Sequence, residues 1–289
     1  MGALIGEARQ VTVAEGDTLP ALARKHGVGY VALRAANPDA DVWLPQPGRR
    51  LDLPSVHIAP HKKGNRAIVN RAEMRVYVYG PDGKTWSVPV SLGRQGYQTP
   101  LGRLPVGQKR LNPAWYPTVS HRAENPDLPA VVPSGPNNPL GAHALRLGMT
   151  EYLLHGTNRP GSIGRQVSRG CIRLSPQAIE RLYDATELGD HVEIIDAPAK
   201  IALHAGRLYL EIAPSRDQIE AYDLNRPVPD DVYPGIEKEL RRLTGDFVEY
   251  IDWSAVAAIA HKRQGAPVAI TPSIGLSGGA TLVTSASSD

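Results

Sequence analysis

The sequence predicts a mainly β protein, with a small mixed unit before the β core and helices after it. Three patterns support this prediction. In the first 54 residues, two short stretches with helical spacing of apolar residues lie between two extended runs. From residue 67 onward, apolar and polar residues alternate, as expected of half-buried strands. After residue 215, apolar residues recur every three or four positions, which is typical of amphipathic helices.

The composition is that of a globular chain without strong charge. With 289 residues, 42% of them hydrophobic, it can form one large domain or two to three smaller ones. A net charge of +3 gives no reason to expect a nucleic-acid ligand, although a mildly basic surface suits an anionic polymer. The single cysteine excludes an intramolecular disulfide. No apolar run approaches the roughly 18 to 20 residues that cross a bilayer.

Residues 9–55 form the predicted mixed unit, in the order strand, helix, helix, strand. The first helix begins after Asp17, a favourable N-cap residue, and ends at Gly27. The second helix ends at Asn37, because the residue before a proline disfavours helical geometry. Residues 56–65 are polar and contain proline and glycine, so we expect a linker there.

Residues 66–196 hold the predicted β core, which contains one convincing helix at 176–183 with Ser175 as its N-cap. Its strands are expected at 67–70, 74–79, 85–92, 145–147, 152–155 and 191–195. The proline-rich stretch 111–141 is too long for an ordinary connection. We interpret it as an ordered cap beside the functional site; the alternative is a surface excursion without a role.

The C-terminal part changes character twice. Residues 197–265 are predicted to contain a strand at 207–212, followed by helices near 218–222, 232–243 and 253–261. These helices are expected to pack against the β core. Residues 266–289 are rich in glycine, serine and threonine, so they are predicted to form a flexible tail.

The most informative stretch pairs the only cysteine, Cys171, with His155 sixteen positions earlier in a glycine-rich segment. A free thiol has a pKa of about 8.5, so it needs an imidazole or another positive field to react near neutral pH. Intervening glycines and a proline allow the segment to fold back. A lone cysteine is also commonly a small buried hydrophobe, but the polar surroundings favour a nucleophile. Zinc binding is disfavoured, because Cys171, His155 and His143 lack ligand spacing.

This stretch resembles the signature of the L,D-transpeptidases of bacterial cell walls, in which HGT and a glycine-rich run precede S-H-G-C-[IV]-R. The chain reads HGT at 155–157 and SRGCIR at 168–173, with Arg169 where many members have histidine. Further similarity lies at 93–102, 135–145 and 206–212. The N-terminal unit resembles a LysM module, with GDTL at 16–19 and GRRLDLP at 48–54.

The resemblance implies a β-sandwich or β-barrel catalytic domain with one main helix and a long capping loop, preceded by a βααβ LysM domain. It also implies that Cys171 attacks the bond between the L-centre of diaminopimelate and D-Ala in a tetrapeptide stem. The resulting thioester then passes to an amine, giving a 3→3 crosslink or a lipoprotein anchor. No cofactor or metal is implied, and carbapenems are expected to acylate Cys171. Two alternatives stay open: a carboxypeptidase or amidase that uses water, and a non-catalytic wall-binding protein.

The expected site residues fall into three groups. The catalytic pair is Cys171 and His155, with a main-chain carbonyl at Gly156 or Arg169 orienting the imidazole. The oxyanion hole and the frame of the site are expected to come from Gly170, Ser168, Gly156, Thr157 and Arg169, with the amides of Gly170 and Cys171 as donors. Substrate contacts are expected from Arg173, Asn138, Tyr152 and Trp115. For Arg173, a structural salt bridge is the alternative to a substrate carboxylate.

The implied partners are peptidoglycan stems, glycan chains held by the LysM module, and an outer-membrane lipoprotein. A LysM module can alternatively serve to pack or orient its neighbour. We expect neither nucleic acid nor a transmembrane segment. The resemblance implies work outside the inner membrane, so we expect a periplasmic location and an export signal that is not part of this sequence.

Overall fold

A curled eight-stranded sheet forms the centre of the protein, which confirms the mainly β class. The computed structural model describes residues 4–273 and 281–284. In the order of the chain, the strands are β1 (Leu4–Ile5), β2 (Arg9–Thr12), β3 (Arg50–Leu53), β4 (His57–Ile58), β5 (Ala67–Asn70), β6 (Arg75–Tyr79), β7 (Thr85–Pro89), β8 (Leu92–Gly93), β9 (Gly102–Leu111), β10 (His143–Leu147), β11 (Leu153–His155), β12 (Gln166–Ser168), β13 (Ile172–Arg173), β14 (His191–Ile195), β15 (Ala199–His204), β16 (Arg207–Ile212), β17 (Val268–Ala269) and β18 (Thr281–Thr284).

The helices lie before, beside and after this sheet. They are α1 (Leu19–His26), α2 (Tyr30–Ala36), α3 (Val119–Glu124), α4 (Pro176–Asp184), α5 (Arg216–Asp223), α6 (Ile236–Thr244) and α7 (Trp253–Lys262). The central sheet has the strand order β13-β11-β10-β9-β14-β5-β6-β7. Helix α4 begins at the predicted cap, where the Ser175 hydroxyl accepts from the Ala178 amide. Its buried face, which includes Ile179 and Leu182, packs into the main core.

The N-terminal unit has the predicted βααβ order, with β2 and β3 paired antiparallel. One detail of the prediction is wrong: Thr18, not Asp17, caps α1, and its hydroxyl accepts from the Ala21 amide at 3.2 Å. Asp17 instead accepts from the Ala14 amide and closes the turn before the helix. Gly27 ends α1 in the left-handed region, with φ of 66°.

The segment 56–65 is not a simple linker. Strand β4 lies within it and pairs with β1, and both His57 and Ile58 are buried. The polar composition of the segment gives no sign of a buried strand. Burial is possible because a residue distant in sequence satisfies its polar groups: the Ile58 amide donates to Glu211 at 2.7 Å.

The central strand β9 is absent from the sequence prediction, although it pairs with β10 on one side and β14 on the other. Gly102, Pro105 and Gly107 lower its apparent strand propensity. At Gly107 the register with β10 shifts, and a Cβ there would lie 2.5 Å from the Gly148 carbonyl oxygen. Close backbone approach therefore requires this glycine.

A second sheet, of order β17-β16-β15-β18, forms the C-terminal unit. Helices α6 and α7 cover one of its faces through a separate core that includes Ile201, Leu210, Leu240 and Val256. The three C-terminal helices were expected to pack against the β core. Among the described residues, α5 joins that core through Ile219 and Tyr222, whereas α6 and α7 pack on the second sheet. The predicted flexible tail at 266–289 is therefore wrong in part, because β17 and β18 add their backbones to both edges of this sheet. Residues 274–280 and 285–289 of that prediction lie outside the described residues.

A buried charge network joins the two sheets. Lys200 has no exposed surface and forms ion pairs with Glu73 and, at 3.0 Å, with Glu211. Its ammonium group also donates to the Ile58 carbonyl oxygen at 2.6 Å and to the Tyr77 hydroxyl at 2.7 Å. Burial raises the pKa of Glu73, so the lysine is needed to keep that carboxyl charged.

We predict that Lys200→Met destabilises the protein by about 3 to 5 kcal/mol, because it leaves two buried carboxyl groups without their cation. The matched control is Lys84→Met, which removes an exposed lysine 3.7 Å from Asp82 and should change stability by no more than about 0.5 kcal/mol. Denaturant unfolding of both variants measures the difference. Equal stabilities would contradict a structural role for the network.

Candidate active site

Parallel pairing of β11 with β13 brings the two ends of the signature together. Leu154 pairs with Ile172, and His155 pairs with Arg173. Cys171 directly precedes β13, two residues before Arg173. Residues 156–170, which we call the connector, leave β11 and return to its side. The fold-back expected from the glycines is thus achieved by a strand pair.

His155 is buried, with 4% of its surface exposed. Its Nδ1 lies 2.6 Å from the Gly156 carbonyl oxygen, one of the two carbonyls expected to orient the ring. A carbonyl only accepts, so Nδ1 carries the hydrogen and Nε2 has the free lone pair. Burial, followed by the positive charge of Arg173, lowers the pKa of His155 to about 4. The imidazole is therefore neutral at neutral pH and available as a base.

Cys171 is partly buried, and its Sγ lies 3.8 Å from the Glu151 carbonyl oxygen. Burial raises the pKa of the thiol, while a backbone hydrogen bond from Leu153 and the charge of Arg173 act in the opposite direction. At rest the site therefore contains a neutral thiol and a neutral imidazole. The site does not store a thiolate, unlike sites in which an adjacent imidazolium lowers the thiol pKa.

A tight turn presents the cysteine. The Ser168 hydroxyl donates to the Cys171 carbonyl oxygen at 2.5 Å and accepts from the Gly170 amide at 3.1 Å. Gly170 has φ of 104°, and a Cβ there would lie 2.7 Å from Cε1 of Tyr152. The Thr99 hydroxyl donates to the Gly170 carbonyl oxygen at 2.9 Å. The turn is therefore held on both sides, and it requires glycine at position 170.

Arg173 supplies the positive field of the site. Its guanidinium forms no ion pair or hydrogen bond within residues 4–273 and 281–284, and its Nε is buried without a partner. The structural salt bridge considered from the sequence is therefore not found in this part of the chain. Burial of this nitrogen without a hydrogen-bond partner is costly unless a ligand supplies one.

Arg169 reaches toward the cap rather than toward the nucleophile. Its Nη1 donates to the Ser120 hydroxyl at 2.8 Å, and its Nη2 pairs with Glu124 of α3. Arg94 donates to the same carboxylate at 3.0 Å, and both guanidinium groups lie about 5 Å from the centre of the Tyr97 ring. The Arg169 side chain thus fastens α3 to the cysteine turn, which is a role in the frame of the site.

The other predicted residues divide between frame and cap. Asn138 is fully buried, and its amide nitrogen donates to the carbonyl oxygens of Pro113, Val132 and Pro133. Since its Oδ1 accepts from Leu140, it holds the cap together and has no group left for substrate, which corrects its expected role. The Thr157 hydroxyl accepts from the Arg159 amide. The Trp115 ring meets His121 edge to face within the cap, with centroids 5.2 Å apart.

Sequence reasoning missed Thr99, Arg94, Tyr97 and Glu124. The first three lie in the stretch 93–102 that resembles the family, so a signal was present but carried no role. Glu124 had no signal, because its partners are distant in sequence.

In the described part of the chain, no group of three or more His, Cys, Asp or Glu side chains is placed to hold a metal. None of the helices in that part is long and apolar enough to span a bilayer.

Comparisons with known proteins place the chain in a family. Residues 64–194 match the model of the L,D-transpeptidase catalytic domain, and residues 11–54 match that of the LysM domain. The probable L,D-transpeptidase ErfK/SrfK of Escherichia coli K12 is 37% identical over 279 residues, which cover 93% of this chain and 87% of that protein. The probable L,D-transpeptidase YcfS of the same strain is 39% identical over 209 residues, covering 69% and 65%. L,D-transpeptidase 3 of Mycobacterium tuberculosis has 18% identity and a TM-score of 0.36, covering 66% of this chain and 94% of that one. The chain belongs to the L,D-transpeptidase family, with a LysM domain in front of the catalytic domain.

Proposed function

We propose that the protein is a cysteine acyltransferase that rebuilds peptide stems of peptidoglycan. One observation supports the proposal: the pairing of β11 with β13 aligns His155 with Arg173, whose guanidinium has no partner among the described residues, and Cys171 directly precedes β13. A nucleophile, a base and an anion-binding group are what acyl transfer to and from a peptide requires.

In the acylation step, Cys171 Sγ attacks the carbonyl carbon between diaminopimelate and the terminal D-Ala. His155 Nε2 accepts the thiol proton as the S–C bond forms. The tetrahedral intermediate collapses when the C–N bond breaks, and the imidazolium gives its proton to the departing amine of D-Ala. The product is a thioester on Cys171.

The neutral resting state of the thiol and the imidazole determines when the proton is transferred between them. Since burial raises the thiol pKa and lowers the imidazole pKa, proton transfer before attack is unfavourable. Transfer therefore accompanies attack on the bound substrate. The Gly156 carbonyl oxygen, which accepts from Nδ1, stabilises the imidazolium while it exists.

The oxyanion of the intermediate needs a donor near Cys171. Of the two expected amides, that of Gly170 already donates to the Ser168 hydroxyl. The amide of Cys171 is therefore the better candidate. One such donor is typically worth about 3 kcal/mol in the transition state.

In the second half of the reaction an amine attacks the thioester, and His155 removes its proton. A side-chain amine of another stem gives a 3→3 crosslink, and a lysine of an outer-membrane lipoprotein gives an anchor. Water in place of the amine gives a carboxypeptidase. The presence of a LysM domain supports the proposal that the protein binds the glycan of the wall. Membership of the family supports the proposal that it acts in the periplasm.

The first prediction concerns the catalytic pair. Cys171→Ala and His155→Ala should each abolish turnover of tetrapeptide muropeptides while binding to sacculi is retained. Mass spectrometry of the products separates crosslinked dimers from released D-Ala alone, which would identify water as the acceptor. A fully active Cys171→Ala variant would end the proposal.

The second prediction concerns pH. Only the thiolate reacts with iodoacetamide, and the raised pKa of Cys171 means that this form appears above the usual thiol range of about 8.5. The alkylation rate should therefore keep rising with pH beyond 8.5 and show no plateau between pH 5 and 7. A plateau in that window would indicate a preformed thiolate–imidazolium pair and contradict the neutral resting state.

The third prediction concerns Arg173, which we propose binds a carboxylate of the stem through two parallel hydrogen bonds. Arg173→Gln should lower kcat/KM about 10- to 100-fold, since charge-assisted hydrogen bonds are worth about 1.5 to 3 kcal/mol. Stems amidated at D-Ala or at diaminopimelate identify the carboxylate. Amidation at the bound position should impair the wild type and leave the variant unaffected; equal impairment of both proteins would exclude this role.

A further inference from the structure

The N-terminus of α2 packs directly on the middle of the connector. The Val31 amide donates to the Gly164 carbonyl oxygen at 3.4 Å. A Cβ at Gly164 would lie 2.4 Å from the Gly29 Cα and 2.7 Å from the Tyr30 amide nitrogen. The two main chains therefore touch without an intervening side chain, and the LysM domain reaches the segment that joins His155 to Cys171.

Two arginines extend this contact into a junction of the LysM domain, the connector and α5. Arg165 of the connector donates to Asp223 at 2.5 Å, and its guanidinium lies 5.6 Å from the centre of the Tyr30 ring. From the LysM side, buried Arg34 donates to Asn225 at 2.9 Å and lies 5.7 Å from the centre of the Tyr222 ring. Each of the three parts is thus bonded to a neighbour by a charged or aromatic group.

The apolar packing is also continuous across the junction. Leu22 and Leu33 of the LysM domain belong to the same core cluster as Leu154 of β11 and Ile172 of β13. A module that only tethers the enzyme to glycan needs a linker and its own core. Here the LysM domain instead packs into the same hydrophobic core as β11, which contains His155, and β13, which directly follows Cys171.

We propose that the LysM domain of this chain is a positioning element for the connector, and that it contributes to turnover on stems that carry no glycan. This proposal rests on the acyl-transfer function above. On its inner side the connector is held by Ser91, whose hydroxyl donates to the Ser162 carbonyl oxygen, and by the pairing of β12 with β8. The LysM domain closes its outer side.

The chemical reason is the sensitivity of attack to distance. The connector ends at Gly170, whose conformation directs the Cys171 thiol, and begins beside the Gly156 carbonyl that orients His155. A displacement of about 1 Å in such a pair can cost up to about 100-fold in rate. Movement of Gly164 away from Gly29 therefore lowers the rate of the chemical step rather than the affinity for the stem.

A wedge at Gly29 tests the proposal in the full chain. Gly29 has φ of −68°, which any residue adopts, so an added side chain causes no backbone strain. Its Cβ would lie 3.3 Å from the Gly164 Cα and 3.3 Å from the Pro89 Cβ of β7, so a side chain there presses on the connector and on the neighbouring strand of the catalytic domain. Gly29→Ala is thus a small wedge and Gly29→Leu a large one. The matched control is Glu15→Leu, which places the same leucine side chain at an exposed position of the LysM domain.

The assay uses a synthetic tetrapeptide stem without sugar, and it measures kcat, KM and release of D-Ala. We expect kcat to fall about tenfold for Gly29→Leu and about two- to threefold for Gly29→Ala, with KM within about twofold and Glu15→Leu at the wild-type rate. Iodoacetamide alkylation of Cys171 at fixed pH should change in both Gly29 variants and not in the control.

The outcomes separate the two proposals. If the wild type does not process the stem, the acyl-transfer function itself fails. If the wild type is active and folded Gly29→Leu keeps its kcat, the positioning role is excluded. If Gly29→Leu does not fold, Gly29→Ala decides: an unchanged kcat excludes the role, and a lowered kcat at constant KM supports it.

Discussion

The short parallel pair between β11 and β13 is the constraint on which the site depends. It aligns Leu154 with Ile172 and His155 with Arg173, so residues from the two ends of a long glycine-rich connector share one point of the sheet. Both paired apolar residues are fully buried, which fixes the register, because a slip by one residue would expose them. The catalytic geometry is thus secured by the hydrophobic core and not by a direct bond between the thiol and the imidazole.

Three arginines in and around the connector have carboxylate partners. Arg169 and Arg94 share Glu124, and Arg165 pairs with Asp223. Arg173 has no carboxylate partner in residues 4–273 and 281–284, and its field reaches both members of the pair: it lowers the pKa of His155 and opposes the rise in that of Cys171. A substrate carboxylate at Arg173 would reduce this field, so binding would raise the basicity of the imidazole when it is needed.

Local signals in the sequence were sufficient to predict the elements that have clear apolar periodicity or a capping residue. Helix α4 follows from Ser175, Pro176 and its apolar spacing, and the βααβ unit follows from its turns. The sequence also singled out Cys171 and His155 by residue type and context, and the pairing of β11 with β13 brings these two parts of the chain together. Strand β9 was not predicted because Pro105 and Gly107 lower its strand propensity. Its pairing with β10 and β14 compensates for this low propensity.

The remaining errors share one physical cause, which is that partners distant in sequence determine the role of a polar side chain. Asn138 reads as a binding residue, but three carbonyl oxygens of the cap occupy its amide nitrogen. The segment with His57 reads as a linker, but Glu211 and Lys200 satisfy its buried polar groups. For Arg169, the sequence indicated no partner for the side chain, and Glu124 of α3 supplies it.

The central claim, a neutral imidazole with a free Nε2 lone pair beside the thiol, is tested most directly by ¹⁵N NMR of the His155 ring. The account predicts the Nδ1–H tautomer at pH 7, no imidazolium above about pH 5, and a shift of the Nε2 resonance when Cys171 is carboxymethylated. An imidazolium at pH 7, or an Nε2 resonance that does not respond to modification of the cysteine, would contradict it.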